Sequence, residues 1–264
     1  KRQPFSREGT FLANNFLFAL FAFVVLLGTI FPLLVEAVSN EQIAVGRPYF
    51  DRMLMPIGLA LLALMSVSPM LSWRSTSFTT LAGKLLGPAA CGVGTMALSI
   101  SLGAHGVWPV LGLGLGGSTL GSAAHQILIG TRRHGWKGII GRTGGGMIAH
   151  IGIALIAFGF IASTAFSEEG EFVLQPGDSA SVAGHEVTFV GVRDYFDGPN
   201  RVVSAQVKVE GRGTFAPAIT RYPTFGRPIS TPSVATSWID DVYLSLAAIP
   251  DEGMDRITLR VLIK

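Results

Sequence analysis

The chain has 264 residues, of which 49% are hydrophobic and only 14% charged, and its mean hydropathy is +0.49. That composition excludes an ordinary soluble domain of this length. The formal charge is +3 and the pI about 9.2, but the excess cations sit in short segments beside apolar runs, so they read as a membrane-topology signal and exclude a folded nucleic-acid-binding patch.

Residues 1 to 10 carry Lys1, Arg2 and Arg7 against one acid, Glu8, and no Asp, Glu, Lys or Arg then occurs before Glu36. Roughly 20 apolar residues cross a bilayer, so a first span is expected over residues 12–35. It is too long and too uniformly apolar for a signal peptide and has no convincing small-residue cleavage pattern, so it is expected to stay in the mature protein. The following loop, with Glu36, Glu41, Arg47, Asp51 and Arg52, has no basic excess. A second uncharged stretch predicts a span over 53–72, after which Arg74 and Lys84 form a basic loop. The stretch from Lys84 to Arg132 is twice as long and holds only His105, His125 and Cys91 as ionisable groups. Gly and Pro within 103–109 predict a turn that divides it into spans over 85–104 and 108–130. Arg132, Arg133, Lys137 and Arg142 follow with no acid, and a last span is expected over 145–166. Basic loops lie on the cytoplasmic side, so five spans starting inside place whatever follows outside. Trp73, Trp108 and Trp136 stand at span ends, where amphipathic rings prefer the interface.

Small residues recur in the membrane half, as in Leu111-Gly112-Leu113-Gly114-Leu115-Gly116-Gly117 and Gly92-Val93-Gly94, and allow helix backbones to approach closely. The G-x-G pattern follows no strand and is therefore not a dinucleotide loop. Cys91 is the only cysteine, so there is no disulfide framework. Within an apolar span it reads as a packing residue.

After Phe166, alternation replaces apolar blocks, predicting strands over 185–192, 201–209 and 241–246. Turn residues separate them at Pro176-Gly177-Asp178, Asp197-Gly198-Pro199-Asn200, Glu210-Gly211-Arg212-Gly213 and Pro250-Asp251-Glu252-Gly253. The expected fold is an α-helical transmembrane bundle (residues 1–166, about five spans) followed by a small all-β extracytoplasmic domain (residues 167–264), a sandwich or barrel. The chain stops within or just after a strand at Leu262-Ile263-Lys264, which is expected of a fragment or split subunit.

Of five histidines, His125 and His150 lie inside predicted spans, where an ionisable side chain is a functional candidate by default. They fall at similar depth on consecutive antiparallel spans, so the two imidazoles can face one another or share a ligand. Two readings stand: each bonds a neighbouring helix and fixes packing, or they serve as axial ligands of a haem. With no carboxylate in the spans and one isolated thiol, no other metal site is expected. His105 reads as an interfacial residue at the outer turn, His134 as part of the cytosolic basic anchor, and His185 as a surface strand residue. The Asp240-Asp241 pair reads as a solvated turn.

Motifs in order along the whole chain resemble the C-terminal part of the cytochrome c-type biogenesis protein CcmF family, the haem lyase component of bacterial system I. They are Ser6-Arg7-Glu8-Gly9 with Asn14-Asn15, Leu26-Leu27-Gly28-Thr29, Phe31-Pro32-Leu33, Gly46-Arg47-Pro48-Tyr49-Phe50, Met55-Pro56 and Ala149-His150-Ile151-Gly152. In the β half they are Pro176-Gly177-Asp178, Gly198-Pro199-Asn200, Arg221-Tyr222-Pro223 and Asp241-Val242-Tyr243-Leu244-Ser245-Leu246.

The resemblance implies covalent attachment of haem to apocytochrome c at the outer face of the bacterial cytoplasmic (inner) membrane. It implies the haem chaperone CcmE, a CcmH-type apocytochrome-binding subunit, apocytochrome c and the upstream CcmF portion as partners, with membrane lipid and no nucleic acid. His150 carries over as one axial ligand of a transmembrane haem b. Its partner ligand and the family's Trp-rich haem-handling segment belong to the absent upstream part; His125 is a second candidate with no motif behind it. A non-enzymatic, membrane-anchored docking module is the alternative. A transporter is disfavoured, because no ion-coupling carboxylate and no inverted repeat is visible.

Overall fold

The computed structural model describes residues 6–40, 43, 45–71, 77–223, 228–248 and 256–264. Lys1, Arg2, Glu41, Trp73, Arg74, the predicted turn Pro250-Asp251-Glu252-Gly253 and the side chain of Arg142 lie outside the described residues. Contacts divide the chain into two units, Lys1–Ala165 and Phe166–Lys264.

The first unit is helical: α1 (Arg7–Ser39), α2 (Arg47–Val67) with a 3-10 turn Ser68–Met70, α3 (Phe78–Ser101), α4 (Val107–His134), the short α5 (Lys137–Ile140) and α6 (Arg142–Ala165). Each of the five predicted spans falls on a long helix. Among the described residues, four stretches are long and apolar enough to cross a membrane: Arg7–Ser39, Arg47–Met70, Phe78–Ser101 and Gly144–Ala165. The expected fourth span, α4, is less apolar than these. The physical reason is its place: α4 packs against α2, α3 and α6, and its buried residues are mostly small ones, such as Gly112, Gly114, Gly116, Gly117, Ser122 and Ala123. A helix covered by neighbours gains more from close backbone approach than from bulky apolar side chains.

Several quoted motifs have a packing or capping role. Ser6 caps α1 by accepting from the Gly9 amide at 3.2 Å, and Glu8 lies in the first turn, where an acid complements the helix dipole. Gly28 of α1 meets Tyr49 and Phe50 of α2: a Cβ on Gly28 would lie 2.8 Å from either ring. The Tyr49 hydroxyl donates to the Val24 carbonyl at 3.2 Å. Pro69 contributes to ending α2 as a 3-10 turn, leaving carbonyls without helical partners. Side chains from three other helices satisfy them: Arg7 Nε donates to Leu71 O at 2.7 Å, Gln126 Nε2 to Pro69 O at 2.8 Å and Lys84 Nζ to Met70 O at 3.4 Å. Arg7, Lys84 and the α4 end bearing Arg132 and Arg133 are thereby gathered at one end of the bundle. At the α6 C-terminus the His105 amide bonds the Ala165 carbonyl at 2.8 Å. The turn between α3 and α4 uses Gly103 and Gly106 at φ +93° and +86°, a region that favours glycine.

The described residues of the second unit form β-strands and no helix: β1 (Glu168–Leu174), β2 (Ser179–Val182), β3 (His185–Asp197), β4 (Asn200–Val209), β5 (Gly213–Phe215), β6 (Ala218–Arg221), β7 (Ile229–Thr231), β8 (Ser233–Thr236), β9 (Asp241–Leu246) and β10 (Ile257–Ile263). One sheet has the order β1-β10-β9-β8; the other has β2-β3-β4-β6-β7, with β5 on β4. Alternating residues from both sheets form one core, including Val187, Phe189, Val207, Val209, Val242, Leu244, Leu259 and Val261, each no more than 1% exposed. A register shift between Phe189 and Gly191 leaves Val190 as the extra residue of a bulge. Beyond it, β3 continues as an arm whose Val192, Tyr195 and Phe196 are exposed.

Candidate functional site

His150 lies on α6, and the packing of α6 on α4 defines its surroundings. A Cβ on Gly112 would lie 2.9 Å from Ile161, and one on Gly116 would lie 3.0 Å from the Phe158 ring. Ile161, Phe158, Ala154 and His150 are spaced three, four and four residues apart, so they form one stripe of α6 directed at α4. Ala154 is fully buried on it and His150 is half-buried. The imidazole is oriented by its own helix: Nδ1 is 2.8 Å from the Gly146 carbonyl. A carbonyl only accepts, so Nδ1 is the donor, and in the neutral ring this leaves the lone pair on Nε2. This is the tautomer of a metal-ligating histidine, with the second nitrogen fixed by a backbone carbonyl. Among the described residues Nε2 has no hydrogen-bond partner.

His125 does not join it. The antiparallel register puts His125 level with Ala149 and His150, but it follows Gly116 by nine residues, about two and a half turns, and so lies on the opposite side of α4. It follows Gly121 by one turn, and Gly121 faces α3: a Cβ there would lie 2.9 Å from Cys91 and 3.3 Å from the Pro88 backbone. Equal depth therefore does not bring the two imidazoles face to face. His105 and His134 are exposed at the two ends of α4. No group of three or more His, Cys, Asp and Glu side chains able to hold a metal ion occurs among the described residues.

In the β unit, the surface reading of His185 and the solvated reading of Asp240 are both corrected. His185 Nε2 donates to Asp240 Oδ2 at 2.6 Å. Arg212 binds Asp240 Oδ1 through Nη2, and its Nη1 reaches the carbonyls of Ala235 at 3.0 Å and Asp240 at 3.2 Å. Ser237 Oγ donates to the same Oδ1 at 2.9 Å. The Arg212 guanidinium, then Ser237 and His185, hold the Asp240 carboxyl well below its ordinary range, at about 2. The side chains of His185, Arg212 and Asp240 retain only 21%, 17% and 21% exposure. These residues are far apart in sequence; only the Ser-x-x-Asp spacing of Ser237 and Asp240, a turn signal, hinted at part of the network. Elsewhere Arg201 pairs with Asp194 at 2.6 Å across the arm and lowers the Asp194 pKa.

A multi-helix membrane bundle continuing into a two-sheet β unit, with one half-buried imidazole in a bundle seam, defines a polytopic membrane protein with an appended β domain. No family model matches the chain. It is 36% identical over 211 residues to the cytochrome c-type biogenesis protein CcmF of Pseudomonas fluorescens, covering 74% of this chain and 30% of that protein. It is 29% identical over 269 residues to CcmF of Pseudomonas aeruginosa, covering 97% and 40%. A solved cytochrome c haem lyase CcmF matches with a TM-score of 0.65 at 25% identity, over 99% of this chain and 43% of that one. Over this region the chain is CcmF-like, and it spans 30 to 43% of the length of these proteins.

Proposed function

We propose that this chain acts in cytochrome c maturation as part of a CcmF-like haem lyase at the outer face of the cytoplasmic membrane. The observation that carries the reading is the similarity to CcmF proteins over nearly the whole chain, helices and β unit together. In this reading the basic end of the bundle, with Arg7, Lys84, Arg132 and Arg133, is cytoplasmic. The β domain is then on the opposite side and receives the haem chaperone CcmE, a CcmH-type subunit and apocytochrome c.

His150 is the residue of this chain that would hold the iron of a haem b. A proton on Nδ1 is held by the Gly146 carbonyl, which directs any metal bond to Nε2. Among the described residues no second imidazole lies on that face, so in this reading the second ligand comes from the upstream CcmF portion. When bound, such a haem supplies one-electron chemistry. The Gly146 carbonyl accepts from Nδ1, which keeps the ring oriented and favours the tautomer whose lone pair lies on Nε2.

The test is the reduced-minus-oxidised optical spectrum and haem stoichiometry of the protein purified with its upstream partner. A b-type signal that is lost in His150→Ala and kept in His125→Ala is the expected result. A signal unchanged by His150→Ala, or no haem in folded wild type, would remove the ligand role and leave a membrane-anchored docking module as the better account.

A further inference from the structure

Trp238 and Ile239 are the most exposed large apolar side chains of the described residues, at 105% and 94% relative exposure. They are adjacent, and they occupy the tip of the turn between β8 and β9. The turn is held rigidly. The Ser237 amide donates to the Asp240 carbonyl at 3.0 Å. Ser237 Oγ accepts from the amides of Ile239 at 3.2 Å and Asp240 at 3.3 Å. Arg212 and His185 clamp the Asp240 side chain from β-strand and loop positions across the domain. Two large apolar groups are thus presented in a fixed conformation, so covering them costs little ordering entropy.

The register of the first sheet shows which end of the domain carries this turn. Glu168, the first residue of β1, pairs with Ile263, Ile263 pairs with Val242, and Val242 pairs with Ala235. The β8–β9 turn therefore lies at the end of the sheet where β1 begins. Glu168 follows Ala165, the last residue of α6, by three residues, about 10 Å of extended chain at most. The exposed Lys264 is bonded through its backbone to Asp241 at the same sheet end, and a cation there suits phosphate headgroups. An indole beside an aliphatic side chain, with a lysine nearby, is the composition that lodges at the headgroup level of a bilayer.

We infer that the Ser237–Asp240 turn is a membrane-interface anchor, with Trp238 and Ile239 inserting into the headgroup and upper acyl region of the bilayer that α6 crosses. The Arg212–Asp240–His185 network is the brace that keeps the turn in its inserting shape. This anchoring restrains the β domain at the lipid surface independently of any protein partner.

The test uses the full chain in nanodiscs whose lipids carry brominated or plain acyl chains. In a variant retaining only Trp238 (Trp73→Phe, Trp108→Phe, Trp136→Phe), the expected emission is blue-shifted, insensitive to iodide and mostly lost in brominated discs. The same component is read without that variant, as the difference between wild type and Trp238→Ser. Water-like emission quenched by iodide and unaffected by bromine would overturn the inference. So would blue-shifted emission unaffected by bromine, which would mean that protein covers the turn. The emission of Trp73, Trp108 and Trp136 that remains in Trp238→Ser reports separately whether the bundle itself is in the lipid.

Discussion

Gly92 and Gly94 lie two residues apart on α3, and the structure gives alanine opposite effects at the two positions. A Cβ on Gly92 would lie 2.8 Å from the Gly114 carbonyl oxygen of α4 and 3.1 Å from Ser118 Cβ, whereas a Cβ on Gly94 meets nothing within 4 Å. The obstacle at Gly92 is helix backbone, which has no rotamer to change, so α3 and α4 must separate until the contact returns to an ordinary 3.4 Å or more. Overpacking of this kind costs about 1–3 kcal/mol. Alanine at Gly94 relieves the helix-interior glycine cost of roughly 0.5–1 kcal/mol. The two variants should therefore differ by about 1.5–4 kcal/mol, with Gly92→Ala below wild type and Gly94→Ala above it. Thermal unfolding of the detergent-solubilised protein, followed by far-UV circular dichroism, measures this, with midpoints separated by roughly 5–15 °C. Equal midpoints, or Gly94→Ala as the less stable variant, would refute backbone-to-backbone packing of α3 on α4.

Arg7→Met removes the donors to the Leu71 and Pro69 carbonyls and should lower bundle stability by about 1–3 kcal/mol; Arg7→Lys should recover only part, because one ammonium replaces a planar fork. This is checked in the same unfolding assay. The pKa of Asp240 is depressed to about 2 from an ordinary 3.8, so the unfolded state binds the proton more tightly. Its contribution is fully present above the ordinary carboxylate range and is lost as pH falls through about 2. β-domain stability followed by acid titration should drop over that window. Asp240→Asn should be less stable at neutral pH and show a shallower acid loss; an unchanged titration would remove Asp240 from the account.

Much of the architecture is legible along the chain because the bilayer imposes long uncharged runs and the sandwich imposes period-two alternation. The α3–α4 turn was marked by Gly103 and Gly106, and β9 by its alternation over Asp241–Leu246. Legibility stops where a local pattern meets a distant partner. The alternation of β3 reads as uninterrupted through Val192, but a bulge at Val190 breaks the register, and beyond it the consecutive Tyr195 and Phe196 are both exposed, so the strand leaves the core. α4 is less apolar than the other long helices, and it is the one that packs against α2, α3 and α6 together.

The candidate site divides in the same way. That His125 and His150 lie at one depth follows from residue order and the antiparallel connection. That His150 faces α4 while the exposed His125 lies on the side of α4 away from α6 follows from which glycines of α4 meet α6 and which meet α3, a choice made by interhelical packing. His185, Arg212 and Asp240 become neighbours only through sheet closure, since their separations in sequence match no local hydrogen-bonding pattern. Residue order by itself determined where the apolar helices and the strands occur, because burial in lipid and strand pairing both leave periodic composition. Tertiary structure alone decided which face of each element meets which neighbour, because those choices depend on contacts of a few ångströms between residues that are remote along the chain.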